Sequence, residues 1–315
     1  MKLTHAEDFS EAAEDYRNAR TPYYLDTVKK IFTRAAISPS DTIAELGPGE
    51  GGLTRVLLQH PGIKLPLYCI ERDAGMRKKF QEHMAKEIAE GKVILIEGSA
   101  EQTNLPDGVK PKLFIGGDMA HWLSPECTQE LKAKLKPGGK LAFITRYPDA
   151  QSPIVWKLHE LLLEYSSVYS EPGANPLAAR PGPELDLKQA RHVVADAEDM
   201  PQPFTDKRSK EELFAYLRSR SSTRTYCKPK RNAGEEDEAY AARVRAAKEK
   251  VFVEVIDPLF EFARAAKLTE RVDGEEKIPL ARVEFVTLGR PRQHEAAKGH
   301  AGHAQSGSAG PGTPG

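Results

Sequence analysis

A chain of 315 residues can hold one large α/β domain with a sizeable insertion, or two smaller domains. Lys plus Arg and Asp plus Glu balance at 46 each, giving zero formal charge, which excludes a global electrostatic footprint for DNA, RNA or an anionic membrane. Cys69, Cys127 and Cys227 lie too far apart for a disulfide framework or a metal site and suit a reducing, cytoplasmic setting, and no apolar run approaches the roughly 18 residues of a membrane span.

In chain order, residues 10–36 read as helical with a break at Thr21-Pro22, and Pro22 suits the first turn of the second helix. Val28, Ile31 and Phe32 share one face of it, with Tyr24 four residues before Val28. Next, Thr42-Ile43-Ala44-Glu45-Leu46 reads as a buried strand, Gly47-Pro48-Gly49-Glu50-Gly51-Gly52 as a turn, and the following residues through Leu58 as a helix. Glycine suits a turn that takes positive φ or passes close to a ligand, and the helix start aims free N–H groups into the crevice. Gly47, Gly49 and Gly52 match the G-x-G-x-x-G of dinucleotide binding, with Glu71 at about the expected spacing. Glu45 followed by Gly47, Gly49 and Gly51 spells a different pattern, E-x-G-x-G-x-G.

Leu65–Glu71 reads as a second strand ending in an acid, with Asp73 placed to cap a helix that runs towards Glu90 and stops at Gly91. Lys92–Glu97, Lys112–Gly117 and Lys140–Arg146 supply three further strands, with a helix over Ser124–Leu135 before the last. Alternation at this spacing predicts a doubly wound, mostly parallel α/β sheet. Such sheets bind ligands at the carboxyl ends of their strands, where Glu71, Ser99 to Glu101, Asp118 to Trp122 and Arg146 would gather.

Beyond Pro148 the pattern becomes largely helical, with Ile154–Tyr169 carrying Trp156. Residues 171–206, rich in Pro, Gly, Ala and Asp, read as a long loop with short helices. Helices follow over Ser209–Arg218, Glu235–Val255 and Pro258–Ala266, and Ile278–Leu288 alternates enough for an edge strand or hairpin. The expected organisation is an N-terminal helical cap (1–40), a cofactor-binding core (41–147), a helical substrate-binding lid (148–270), strands completing the sheet (271–290) and a disordered tail (291–315). Its histidines, His294, His300 and His303, read as adventitious, and no metal site is expected.

Four markers in order decide between the two glycine patterns. The E-x-G-x-G-x-G turn, Glu71, the loop Gly98-Ser99-Ala100-Glu101 running to Leu105-Pro106, and Leu135-Lys136-Pro137-Gly138-Gly139 before the fifth strand together resemble class I S-adenosylmethionine-dependent methyltransferases. That resemblance implies a Rossmann-like fold, S-adenosyl-L-methionine as cofactor and S-adenosyl-L-homocysteine as product. It implies that the Gly47, Gly49 and Gly51 turn lets the backbone approach the cofactor, that Glu71 accepts from the ribose hydroxyls, and that Glu45 orients the loop and the cofactor's ammonium group. Ser99, Ala100 and Glu101 would line the adenine, although Ser99 stands where the family usually has Asp; Arg72, Gly117 and Asp118 would flank the cofactor.

Tyr16-Arg17-x-x-Arg20-x-Pro22-Tyr23 and Ala120-His121-Trp122 are similar to stretches of the trans-aconitate methyltransferase-like small-molecule group, which adds Arg20 to the cofactor set. The acceptor is then a small molecule methylated on a carboxylate or hydroxyl oxygen, with no nucleic-acid or membrane partner. A carboxylate calls for a cationic clamp, with Arg20, Arg146 and Arg224 as candidates; a hydroxyl calls for a base, with His121 the candidate. Trp122, Tyr147 and Trp156 would wall the acceptor pocket. The alternatives are a methyltransferase fold used as a non-catalytic binding module, or one acting on protein.

Overall fold

The computed structural model describes residues 23–149, 151–169, 184–219, 232 and 234–292. Helix α1 (Leu25–Arg34) buries Thr27, Val28, Ile31 and Phe32, the face expected from their spacing. Strand β1 (Ile43–Leu46), helix α2 (Gly52–Leu58), strand β2 (Leu67–Glu71) and helices α3 (Ala74–His83) and α4 (Ala85–Ala89) follow. Asp73 caps α3 by accepting from the Met76 N–H at 2.7 Å. Strands β3 (Val93–Glu97) and β4 (Leu113–Gly117) lead through a 3₁₀ turn (Ala120–Trp122) to α5 (Cys127–Lys134) and β5 (Lys140–Pro148).

Then come α6 (Pro153–Tyr169), α7 (Glu184–Val193), β6 (Val194–Arg208), α8 (Lys210–Ser219) and α9 (Asp237–Val251). A π-helical segment (Phe252–Ile256) joins α9 to α10 (Asp257–Ala265), and a hairpin of β7 (Glu270–Val272) and β8 (Glu275–Pro291) closes the described chain. Asp273 and Gly274 both take positive φ at its turn, which matches the right-handed twist of the strands.

The strands lie in the order β3-β2-β1-β4-β5-β8-β6, with β7 paired to β8. Strands β1 to β5 run parallel, while β8 is antiparallel to both β5 and β6. Two differences from the sequence reading stand out. Residues 194–206, read as loop, belong to the 15-residue strand β6. Pro201 and Pro203 obscured it, yet among the described residues β6 pairs only with β8, and proline is tolerated on an edge strand, where one side of the backbone has no ladder to donate to. Strand β8, read as an edge strand or hairpin, does form a hairpin with β7, but it lies between β5 and β6 and not at an edge.

One face of β8 is buried continuously: Ile278, Leu280, Arg282, Glu284, Val286 and Leu288 alternate along it. Ile278 and Leu280 join an apolar cluster with α6, α8, α10 and the π-helical segment, whereas Val286 and Leu288 join another with α1, β1 and β5. Arg282 and Glu284 occupy the seam between them. A third cluster, on the opposite face of the sheet, packs α5 and α7 on β1, β4 and β5.

The β6–β8 junction gives the first test. A Cβ on Gly289 would lie 2.6 Å from Val194 Cγ1 and closer still to the Ala195 carbonyl. Gly289→Ala is expected to lose about 1–3 kcal/mol through overpacking, measured by urea unfolding, and wild-type stability would contradict the tight pairing.

Candidate functional site

The site is built from the turn upward. Gly47, Gly49 and Gly51 all take positive φ, the left-handed region where a side chain is strained. Their spatial roles differ: a Cβ on Gly49 would meet nothing within 4 Å, while one on Gly51 would press at 3.0 Å on Met84. Gly51 therefore lets α2 settle on the helices behind it, and Gly49 keeps the crevice side open.

Glu71, at the carboxyl end of β2, holds this turn. Its Oε2 accepts from the Gly49 N–H at 3.1 Å and its Oε1 from the Asp73 N–H at 3.0 Å. Burial raises its pKa above the ordinary carboxyl range, and these backbone donors oppose the rise. The Arg72 N–H also acts on this carboxylate, whose two oxygens offer about four acceptor positions, so acceptor capacity remains beyond the backbone donors.

Glu45 lies beneath the turn, almost wholly buried. Its Oε2 accepts from the Thr54 hydroxyl at 2.7 Å and faces the Cys69 thiol at 3.8 Å, which ties β1 to α2. Burial pushes its pKa up to about 8. Both contacts belong to the scaffold under the loop.

At the end of β4, Asp118 adopts a left-handed φ of 50° while its N–H still bonds the Ile144 carbonyl of β5 at 2.8 Å. This twist turns its carboxylate onto Arg146, accepting from the backbone N–H at 3.0 Å and from Nε at 2.9 Å, with Nη2 also bonded. The Arg146 guanidinium stacks on the Tyr23 ring, 3.9 Å from its centroid, and that ring crowds Gly117 so closely that no Cβ would fit there. The sequence reading gave Asp118 to the cofactor and Arg146 to the acceptor; here they form one largely buried ion pair.

The loop after β3 is held by its own residues. Ser99 Oγ accepts from the Glu101 and Gln102 N–H groups, Ala100 packs into the core, and Glu101 accepts from the Ser124 hydroxyl at 3.1 Å. Across the crevice mouth, Arg72 lies 5.1 Å from the centroid of the Trp122 ring, so a residue after β2 meets one after β4. His121 is exposed on the 3₁₀ turn, its ring 5.0 Å from that of Trp122.

Other expected residues are dispersed. Tyr147 meets Phe285 edge-on across β5 and β8, and by strand alternation its side chain leaves the sheet on the face opposite Arg146. Trp156 packs edge-on with His159 of its own helix. Arg20 and Arg224, and with them the N-terminal motif before Tyr23, lie outside the described residues, as do Cys227 and the tail beyond residue 292.

Sequence reasoning missed a polar group on the other side of Arg146. Glu284 is the cross-strand partner of Arg146 and is 0% exposed. Thr27, one turn beyond Tyr23 in α1, donates its hydroxyl to Glu284 Oε2. The available signal was a pair of charges, Arg282 and Glu284, at alternate positions in an otherwise apolar strand.

Residues 44–143 match the family model described as a methyltransferase domain. Among curated relatives, ribosomal RNA small subunit methyltransferase A of Caulobacter vibrioides is 40% identical over 76 residues, or 24% of this chain and 28% of that protein. An uncharacterised methyltransferase of Schizosaccharomyces pombe, C25B8.09, is 31% identical over 158 residues, covering 49% of this chain and 58% of that protein. The chain thus spans between 28% and 58% of the length of these two relatives. A solved structure of an Anaeromyxobacter dehalogenans protein assigned to the type II methyltransferases superposes with a TM-score of 0.52 at 16% identity, covering 86% of this chain and 97% of that one. The shared fold is Rossmann-like, and within it residues 44–143 resemble a methyltransferase domain.

Glu45 supplies a pH test. Folded, it holds a proton up to about pH 8, whereas its ordinary value is 4.5, so the folded state binds more protons across that window. Stability should therefore fall as pH rises from 4.5 to 8. Glu45→Gln removes this contribution, and its unfolding midpoint in urea should gain on wild type as pH rises. Parallel curves would show that Glu45 carries no buried proton.

Proposed function

We propose that this chain is an S-adenosylmethionine-dependent methyltransferase that methylates an oxygen of a small molecule. The observation that carries the reading is the Gly47–Gly51 turn held open opposite the Glu71 carboxylate, at the carboxyl ends of the neighbouring strands β1 and β2. The residues fit the cofactor: the Gly49 side of the turn is clear, Glu71 keeps acceptor capacity towards the crevice, and Arg72 and Trp122 flank the opening. Gly47, Gly49 and Glu71 would hold it, with Ser99 to Glu101 on the adenine side.

Bound there, the cofactor supplies a methyl group on a sulfonium, which an aligned nucleophile can displace in line. The chain's part is largely positioning, worth roughly 7–11 kcal/mol when reacting atoms are held in line. Arg146 is engaged by Asp118 through Nε and Nη2, which weakens its case as a carboxylate clamp and favours a hydroxyl acceptor. His121 is then the candidate base, since its imidazole stands beside Trp122 at the β4 end of the crevice. The resemblance of Tyr16–Tyr23 and Ala120–Trp122 to the trans-aconitate-like group supports a small acceptor. Zero net charge argues against RNA, although one relative is named for ribosomal RNA and resembles this chain over 76 residues.

Calorimetric titration with S-adenosylhomocysteine, with NAD as control, tests the cofactor. Wild type should bind the former alone, and Glu71→Ala should bind it at least about tenfold more weakly, a loss of roughly 1.4 kcal/mol. Unchanged affinity would remove Glu71 from the ribose site. With an acceptor in hand, His121→Ala should lower kcat about 10²-fold at unchanged KM if the imidazole takes the proton; full activity would assign the proton elsewhere.

A further inference from the structure

Among the described residues, Glu284 carries a feature that the cofactor site does not use. Thr27 holds its Oε2 and the Tyr24 amide also acts on the carboxylate, yet its Oε1 is buried with no hydrogen-bond partner. A buried acceptor left without a donor costs about 1–3 kcal/mol, more when charged. An apolar residue would serve the seam between two apolar clusters better, as Leu280 and Val286 do on either side of Arg282 and Glu284.

The surroundings connect this carboxylate to the crevice. Glu284 pairs in register with Arg146 on β5 and Gln202 on β6. Arg146 is bonded to Asp118 at the end of β4, and Tyr23 lies between Arg146 and Gly117. From the crevice edge at β4 to Glu284 is two strand spacings, roughly 10 Å, about the span of a small aromatic or amino-acid-sized molecule. Aromatic side chains flank the same seam: Tyr24 packs on Phe204 at 4.7 Å, and Tyr216 lies under the Arg282 guanidinium at 4.2 Å. Burial raises the Glu284 pKa, opposed by the Thr27 hydroxyl, the Arg146 charge and the Tyr24 amide, while Asp118 adds to the rise.

We propose that Glu284 is an acceptor-binding residue, whose Oε1 accepts a hydrogen bond from a hydroxyl or amino group on the part of the acceptor remote from the transferred methyl. This deepens the methyltransferase reading and rests on it. The substrate class is thereby a small, partly apolar molecule bearing a hydrogen-bond donor, oriented with its reacting oxygen towards the β4 end. An acceptor presenting only a carboxylate at that end would meet Glu284 as a like charge.

The test uses the full chain saturated with S-adenosylhomocysteine, followed by thermal shift and calorimetry. The probes are benzylamine, benzyl alcohol and benzoate, and the same three groups on a naphthalene ring. Amine or alcohol members should stabilise wild type while the carboxylates do not, and Glu284→Gln should weaken that binding at least tenfold. Without any probe, Glu284→Gln keeps an oxygen for Thr27, removes the unpartnered carboxylate and should melt at or above wild type; a residue held only for structure would melt lower. Its affinity for S-adenosylhomocysteine should stay within twofold of wild type. Carboxylates binding as well as amines and alcohols, no response to any donor-bearing probe, or a lowered melting temperature of Glu284→Gln would each overturn the assignment. Failure of wild type to bind S-adenosylhomocysteine would instead strike the methyltransferase reading, and the probe-free melting comparison still judges Glu284.

Discussion

Strand β8 is the constraint on which the rest of the molecule depends. It lies between β5 and β6 and presents one unbroken buried row from Ile278 to Leu288. One end of that row completes the core under α1, the other the core of the helical region, so neither cluster is closed without the strand. Alternation with period two forces the row to be continuous, and the two charges in its middle must be buried whatever they cost. Arg282 stacks on Tyr216 and Glu284 takes the Thr27 hydroxyl, contacts that join the strand to α8 and α1.

The glycine turn depends on a second, local constraint. Three residues with positive φ within five positions hold backbone that no other sequence would adopt cheaply. Glu71 fixes that backbone from the neighbouring strand through the Gly49 N–H, and Glu45 fixes the helix beyond it through Thr54. Crevice geometry is therefore set before any ligand arrives, which lowers the ordering cost of binding. Asp118 extends the same logic to β4, where a left-handed residue turns a carboxylate back onto Arg146 and Tyr23 packs against the result.

Legibility followed the range of the interactions. The first five strands and their helices were readable because apolar runs, caps and glycine turns are local, and Asp73 caps its helix as its spacing implied. The second half was harder. Strand β6 carries two prolines and several acids, and its pairing with β8, at least 70 residues away in sequence, overrides that local composition. The Arg146–Asp118 pair was invisible for the same reason: each residue separately suits a ligand, and nothing local says that they will satisfy one another.

By itself the sequence determined the parallel α/β core, the positive-φ turn and the carboxylate that faces it, because each is written in residues close together along the chain. Tertiary structure alone decided that β8 runs inside the sheet, that Tyr147 and Arg146 leave opposite faces, and that Glu284 meets Thr27 across 257 positions. Those outcomes depend on register between distant strands, where a shift of one residue would move every side chain to the other face.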